Sequence, residues 1–294
     1  MYRKIVLLIG VLSFASLCFA QSRTQLPAGR GVSAQTAAVQ PHGVAAVAPA
    51  TTTCAVSYTS GTGQNLTTYC VTVNGNITEL SRAGEEMITV GTVDAGYGIC
   101  DTTTGTSYWD YAWEDSGNLL ASSFSTPTAT TAVSTRITSD GLFQITNTIT
   151  KVAAKPTAPG QVNIKMAIKN LNGITRGVYI VRHVDIDADN DDIDNDFEWD
   201  INTVWGSYAV AGTPSAGYGL EVVNTTFGAG ISHNAYALNE FDGPQNVCDI
   251  SVGVFNSNDI ASQPFAGDGS AASWYFVSIP KNATKTITLT YQPI

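Results

Sequence analysis

The residues best suited to a specific chemistry lie between Asp185 and Asp200. This segment, DIDADNDDIDNDFEWD, contains nine carboxylates in sixteen residues and no Lys or Arg. Carboxylates at this density repel one another by roughly 1 kcal/mol per close pair, even in water. A folded chain can hold them together either by spreading them over a solvated loop or by binding a cation among their oxygens. We expect the second arrangement, a structural calcium site.

The spacing of the acidic residues predicts a set of calcium ligands. If Asp187 occupies the first position of the loop, Asp189 and Asp191 fall at the third and fifth positions. Calcium prefers six to eight oxygen ligands, and alternate side chains of a curled loop can converge on one ion. The predicted ligands are Asp187, Asp189, Asp191, Ile193 through its backbone carbonyl, Asn195 and Glu198.

Residues 187–198 resemble EF-hand-like and thrombospondin-type-3-like acidic calcium loops, whose pattern is D-x-[DN]-x-[DN]-G-x5-E. The resemblance implies bound Ca²⁺ and covers this segment alone. Asp192 stands where the pattern has Gly, a residue that adopts a positive φ at low cost. A second register begins at Asp185 and ends at Asp196, and the residues alone do not decide between the two.

Two other interpretations compete with calcium. One is a solvated loop, which is the usual role of a run of like charges. The other is a transition-metal site in which His183 joins Asp185 and Asp187, because alternation along a strand places these three side chains on one face. The regular spacing of the acidic residues and the lack of basic residues among them favour calcium over both.

Trp109, Tyr111 and Trp113 alternate along a predicted strand and therefore share one face. An exposed stripe of this kind would let sugar rings stack on the aromatic side chains. A buried stripe would belong to the hydrophobic core, to which large aromatic residues contribute most of all. We favour the core, and carbohydrate binding is the alternative.

The N-terminal segment and the net charge indicate an exported protein. Residues 1–20 combine a basic start, an apolar stretch and a small-x-small cleavage site, as in a signal peptide. No later segment has the length and hydropathy of a transmembrane helix. The net charge of −10 argues against nucleic acid and anionic membranes as partners, because both bind basic surfaces. We expect a periplasmic, extracellular or cell-surface location.

Four cysteines follow the predicted signal peptide: Cys54, Cys70, Cys100 and Cys248. An even number of cysteines in an exported protein favours disulfide bonds, and four cysteines allow three connectivities. The short separation of Cys54 and Cys70 would suit a hairpin, which leaves Cys100 and Cys248 as a long-range pair. We favour this connectivity.

Alternating hydrophobic residues predict an all-β fold for residues 54–294. Strands are predicted at Tyr69–Val73, Met87–Thr92, Ser107–Glu114, Leu142–Ala153, Gln161–Asn170, Gly177–Asp187, Thr203–Val210, Tyr218–Asn224, Ser273–Ile279 and Thr284–Tyr291. Such strands need a second layer to cover their apolar faces. We therefore expect a large antiparallel, supersandwich-like β-sandwich, or two sandwiches in tandem. Residues 21–53 contain no Phe, Trp or Tyr and are predicted to form a flexible lead-in.

The middle of the chain, from Thr138–Leu142 through Arg182–Asp187, resembles uncharacterised secreted bacterial proteins, as does the earlier Gly98–Asp101 with Trp109–Tyr111 after it. The resemblance covers most of residues 54–294. The resemblance implies a large β-sandwich and no particular activity. We expect a calcium-stabilised, non-catalytic module with a structural or interaction role at the cell surface or envelope, whose partner is a glycan or a cell-surface protein. The alternative is a carbohydrate-binding protein or a lyase- or epimerase-like enzyme. In that case His183, His233 or Glu240 would face an open groove.

Overall fold

The chain folds into three antiparallel β-sheets of nine, six and four strands. The computed structural model describes residues 54–88, 95–111, 116–188, 195–208, 218–238, 247–248, 265–266 and 269–294. Apart from strands and turns, the described part contains the 3-10 helix Gly63–Asn65 and two α-helical residues, 247–248.

The strand bounds and the order of strands are as follows. The four-stranded sheet has the order β1-β2-β3-β4 and contains β1 (Val56–Ser60), β2 (Thr67–Val71), β3 (Ile77–Arg82) and β4 (Glu85–Ile88). The six-stranded sheet has the order β16-β18-β12-β5-β6-β7 and contains β5 (Gly96–Asp101), β6 (Thr106–Tyr111), β7 (Ser116–Gly117), β12 (Arg176–Asp185), β16 (Ile231–Leu238) and β18 (Ser270–Ile279). The nine-stranded sheet has the order β17-β13-β14-β15-β19-β11-β10-β9-β8 and contains β8 (Leu119–Thr128), β9 (Thr131–Thr138), β10 (Phe143–Val152), β11 (Gln161–Asn170), β13 (Asn195–Trp199), β14 (Thr203–Tyr208), β15 (Gly219–Asn224), β17 (Phe265–Ala266) and β19 (Thr284–Pro293).

The nine-stranded and six-stranded sheets face each other across the hydrophobic core. In β9, β10 and β11 buried residues alternate with less buried ones, because successive side chains of a strand point to opposite faces. The Tyr275 hydroxyl on β18 donates to the carbonyl of Thr288 on β19 at 2.9 Å. Tyr108 on β6 packs edge-to-face on Phe143 of β10, with ring centroids 6.2 Å apart. These contacts join the inner faces of the two sheets.

Strands from both halves of the chain are interleaved in the nine-stranded sheet. The last strand, β19, lies between β15 and β11 and pairs with both. Two sandwiches in tandem would keep their strands in separate sheets, so this topology is that of one large sandwich. The prediction of an all-β antiparallel sandwich is confirmed.

The four-stranded sheet is attached near β10 and sends one turn into the sandwich. Thr67 Oγ1 donates to the carbonyl of Gly160 at 3.2 Å, which fixes β2 against the start of β11. The turn between β2 and β3, residues 72–76, contains Gly75 with a φ of +85°. A Cβ on Gly75 would lie 3.0 Å from the Cβ of Ser134 on β9. Glycine is therefore required at this position both for conformation and for space.

Two disulfides join distant parts of the chain, and both agree with the favoured connectivity. Cys54–Cys70 closes the β1–β2 hairpin, with a sequence separation of 16. Cys100–Cys248 joins β5 to a residue 148 positions later in the chain. The predicted pairing of the four cysteines is therefore confirmed.

Strand bounds follow the sequence pattern most closely where alternation is regular. β11 has the predicted bounds, and β19 begins at the predicted Thr284 but extends to Pro293. Ser273–Ile279 begins earlier, at Ser270. The predicted signal peptide (1–20) and lead-in (21–53) lie outside the described residues and stay predictions. In the described part, no helix is long and apolar enough to cross a membrane.

Candidate functional site

Residues 188 and 195, on either side of the middle of the acidic segment, lie close together. Asp185 ends β12 and Asp187 follows it, and both are buried, with 7% and 6% of their surface exposed. Asn195 begins β13 and is fully buried. Its Oδ1 accepts a hydrogen bond from the backbone N–H of Ala188 at 3.1 Å. This bond holds the start of β13 beside the end of β12.

The predicted calcium ligands are only partly brought together in the described structure. Asn195 is buried, whereas Glu198, three positions further along β13, is exposed and lies on the opposite face of the strand. Asp196, from the alternative register, shares the face of Glu198. Asp189, Asp191 and Ile193 lie outside the described residues. Among the residues that the structure describes, no group of three or more His, Cys, Asp or Glu side chains is placed to hold a metal ion.

The two described histidines, His183 and His233, each have a hydrogen-bond partner. His183 on β12 is almost fully buried, and its Nε2 lies within hydrogen-bonding distance of Ser270 Oγ on β18, at 2.8 Å. Its side chain points to the outer face of the six-stranded sheet, as does that of Asp185. His233 on β16 is half-buried and bonds to Asn202 Oδ1 at 2.9 Å through its Nε2. Glu240 lies outside the described residues.

Trp109 lies on the outer face of the six-stranded sheet. Its neighbours in β6, Tyr108 and Asp110, point into the sandwich and are 1% and 0% exposed. Trp109 is half-buried and packs against a small second hydrophobic cluster around Cys100 and Cys248. Tyr111 pairs with Gly96 in β5, but its side chain, like the whole of Trp113, lies outside the described part.

The inward position of Asp110 excludes it from surface chemistry. Asp110 Oδ2 lies 2.7 Å from Arg136 Nη1 in a buried ion pair. Asn76 Nδ2 donates to Asp110 Oδ1 at 2.6 Å. Asp110 therefore stabilises the interior, where a removed partner would leave a buried charge uncompensated.

A row of four aromatic side chains crosses the same outer face on three neighbouring strands. This aromatic row consists of Phe276 and Trp274 on β18, Tyr179 on β12 and Tyr236 on β16. Tyr179 lies 4.9 Å from Phe276 and 5.5 Å from Trp274 between ring centroids. Trp274 stacks on Tyr236 at 6.3 Å. All four side chains are half-buried, so each keeps some surface in contact with solvent.

Two polar features accompany the aromatic row. The indole Nε1 of Trp274 is buried and has no hydrogen-bond partner among the described residues. The pKa of the Tyr179 hydroxyl is raised from its ordinary value by burial and, to a smaller extent, by the nearby Tyr236. Tyr179 therefore remains a neutral hydrogen-bond donor at physiological pH.

Sequence reasoning did not identify this row. Trp274 and Phe276 alternate within a predicted strand, as Trp109 and Tyr111 do, and that alternation was the available signal. Tyr179 and Tyr236 are far from them in sequence, and only the pairing of β12, β18 and β16 unites the four rings.

The second disulfide anchors a helical turn, residues 247–248, over the middle of this outer face. Val247 N donates to Ser107 Oγ at 2.6 Å, and Cys248 is bonded to Cys100. Val247 packs directly over Gly98, where a Cβ would lie 2.4 Å from Val247 Cγ2. Gly98 therefore leaves the space that Val247 occupies. Trp109 lies on one side of this turn, and the aromatic row lies on the other.

The described outer-face side chains of the six-stranded sheet include no Lys or Arg. The two arginines of β12 point inward: Arg176 pairs with Asp101 at 2.6 Å, and Arg182 bonds to Tyr291. Asp185 is the acidic residue among those described on this face. The face is thus aromatic and neutral to acidic.

No protein-family model matches the sequence, and no curated protein matches it. Among solved structures, the chain is similar to a bacterial glucoamylase complexed with acarbose, at 14% identity and a TM-score of 0.49, over 83% of this chain and 33% of that one. It is also similar to a mutant of the heparan sulfate lyase HepC from Pedobacter heparinus, at 11% identity and a TM-score of 0.41. That similarity covers 81% of this chain and 34% of the lyase. A putative aldose 1-epimerase of Escherichia coli K12 is similar at 9% identity and a TM-score of 0.43. That similarity covers 81% of this chain and 99% of the epimerase.

The chain spans about a third of the length of the glucoamylase and of the lyase. At these identities and TM-scores, the similarities assign no activity to this chain.

Proposed function

We propose that this protein binds carbohydrate through the outer face of its six-stranded sheet. The observation that supports this most directly is the aromatic row, in which four contacting rings on three strands keep some exposure. Aromatic rings offer large, rigid apolar surfaces to the faces of sugar rings, and Tyr and Trp add polar groups at their edges. The hydroxyls of Tyr179 and Tyr236 would hydrogen-bond to sugar hydroxyls.

The ligand we propose is a neutral polysaccharide. A uronate or sulfated glycan would need Lys or Arg to compensate its charge, because carboxylates and sulfates bind basic groups. The described outer face has none and carries Asp185, and the chain has a net charge of −10. Neutral sugars carry no such requirement, and they bind through stacking and hydroxyl hydrogen bonds.

We propose binding rather than catalysis. The acidic and imidazole side chains that the structure describes on this face, Asp185 and His183, are 7% and 1% exposed. A general acid or base must lie within hydrogen-bond reach of the reacting atom of the substrate. At this depth neither residue reaches a ligand on the aromatic row. The exported location that we propose is supported by the two disulfides, which persist in oxidising compartments.

We also propose that the acidic segment binds Ca²⁺ as a structural ion. The support is the closeness of residues 188 and 195 within the segment, which the bond from Ala188 N to Asn195 Oδ1 holds together. A cation bound in the segment would offset the repulsion among the carboxylates. Since the segment continues directly from β12, bound calcium would stabilise the strand that carries Tyr179.

Affinity electrophoresis of the mature protein tests the proposed ligand class. Gels containing neutral glucans, mannans or xylans should retard the protein, whereas gels containing alginate or heparin should not. Retardation by the acidic polymers alone would contradict the neutral-ligand proposal. No retardation by any of these polymers would contradict carbohydrate binding itself.

A further inference from the structure

Arg182 is a buried cation that forms no ion pair with a carboxylate among the described residues. Its side chain, 1% exposed, projects from β12 into the space between the two large sheets. Nε donates to the Tyr291 hydroxyl and Nη1 to the carbonyl of Gly75, each at 3.2 Å. The guanidinium carbon lies 5.5 Å from the ring centroid of Tyr97 and 5.9 Å from that of Tyr291. Nη2 has no hydrogen-bond partner among the described residues.

The charges around the turn 72–76 do not balance. This turn contacts Arg182 through Gly75 and Asp110 through Asn76, which donates to the carboxylate. The charge of Asp110 is already paired with Arg136 at 2.7 Å. Of the ion pairs in the described part of the chain, none includes Arg182. Asp110, Arg136 and Arg182 together therefore carry one net positive charge in the interior.

Asn147 is a second buried polar group beside the same turn. It lies on β10 and is fully buried, and neither its Oδ1 nor its Nδ2 has a hydrogen-bond partner in the described structure. A Cβ on Gly75 would be 3.2 Å from Asn147 Nδ2. Gly75 thus contacts Arg182 through its carbonyl and packs so closely against Asn147 that a Cβ would be crowded there.

We propose that a monovalent inorganic anion, chloride in most natural settings, binds beside Gly75 between Arg182 and Asn147. A buried charge and a buried amide are both costly when they lack partners. One anion would accept hydrogen bonds from Arg182 Nη2 and Asn147 Nδ2 and would neutralise the excess charge. The rings of Tyr97 and Tyr291 attract the Arg182 guanidinium by cation–π interactions. These interactions lower the free-energy cost of burying Arg182 but leave its positive charge unneutralised.

The charge and the burial of the site define the class of ligand. The excess of one positive charge matches a monovalent anion and not a phosphate dianion. The residues around the site, Arg182, Asn147, Tyr97 and Tyr291, are at most 1% exposed, so the occupant is small. A water molecule would satisfy hydrogen bonds but would leave the charge of Arg182 unbalanced.

Thermal unfolding of the mature protein in chloride and in gluconate, at equal ionic strength and pH, tests this site. Gluconate is too large to enter, so it reports general salt effects. Chloride should raise the Tm by about 3–6 °C for each tenfold increase above its Kd, and gluconate should not. Arg182→Met should remove the chloride effect. Lys165→Met, which removes the same charge from an exposed position on β11, should retain it.

A second variant and a crystallographic measurement cover the case in which Arg182→Met does not fold. Asn147→Leu keeps the buried cation, and it should weaken the chloride dependence at least severalfold. Crystals grown in bromide should show an anomalous peak beside Gly75. Equal Tm values in chloride and gluconate would overturn the proposal, as would an ordered water in place of the bromide.

Discussion

Trp274 on β18 stacks on Tyr236 of the neighbouring β16, with ring centroids 6.3 Å apart and an interplanar angle of 27°. The register of the two strands produces this contact, because Asn234 pairs with Trp274 and Tyr236 pairs with Ala272, two positions along. Such diagonal neighbours are within reach of aromatic side chains. The stacking surface is therefore built on strands of the sandwich, which hold the rings in a fixed relative position.

The two disulfides should differ in their effect on stability. In the chain-entropy account, closing a longer loop removes more freedom from the unfolded chain, so a separation of 148 should stabilise more than one of 16. We expect losses of about 5 kcal/mol for Cys100→Ala with Cys248→Ala and about 3 kcal/mol for Cys54→Ala with Cys70→Ala. Urea unfolding of the two double variants measures both. A larger loss from the short pair would contradict this ranking.

Calcium should stabilise the mature protein. At a free concentration 100 times the Kd, the free energy of unfolding should rise by about 2.7 kcal/mol. Asp187→Ala with Asp189→Ala should remove most of this rise, as measured by the Tm with calcium and with a chelator. If the double variant responds to calcium as the wild type does, these residues are not ligands.

Glu198→Gln distinguishes between the two calcium registers. The register that begins at Asp187 uses Glu198 as a ligand, whereas the register that begins at Asp185 ends at Asp196. In the structure Glu198 is exposed and lies on the opposite face of β13 from Asn195. We therefore expect Glu198→Gln to keep the calcium response. Loss of the response would assign Glu198 to the site.

Stability should depend on pH through Glu86 on β4. Burial, and then the charge of Glu79, raise the pKa of Glu86 from 4.5 to about 7. Because the folded state binds this proton more tightly than the unfolded state, the resulting stabilisation is complete below about pH 4.5 and is lost as the pH rises through 7. The Tm of wild type should fall more between pH 5 and 8 than that of Glu86→Gln, which cannot ionise. Parallel Tm curves would refute the assignment, and Glu198→Gln serves as an exposed control.

The fold could be predicted from the sequence wherever one face of a strand is buried and the other is not. β11 is such a strand, since Val162, Ile164, Met166 and Ile168 alternate with polar residues or alanine. The pairing of Cys100 with Cys248 followed from the assignment of the shorter pair. β12 is less regular, because both its faces are buried near His183, and its predicted bounds were less accurate.

The candidate site could not be predicted because its parts meet only through long-range pairing. Tyr179 contacts Trp274 because β12 pairs with β18, and no local pattern encodes that register. The burial of Arg182 and Asp110 could not be predicted either, because charged residues in alternating strands are expected to face solvent. Both are buried here because the turn 72–76 enters the sandwich and supplies their hydrogen-bond partners.

Titration calorimetry with the neutral polysaccharide that retards the protein most tests carbohydrate binding directly. Trp274→Ala should weaken binding at least tenfold, about 1.4 kcal/mol, because it removes the ring that contacts both Tyr179 and Tyr236. Trp205→Ala is the matched control, since Trp205 is also half-buried but lies on β14 of the other sheet. The control should bind as wild type does. Unchanged affinity in Trp274→Ala, or equal losses in both variants, would contradict binding at the aromatic row.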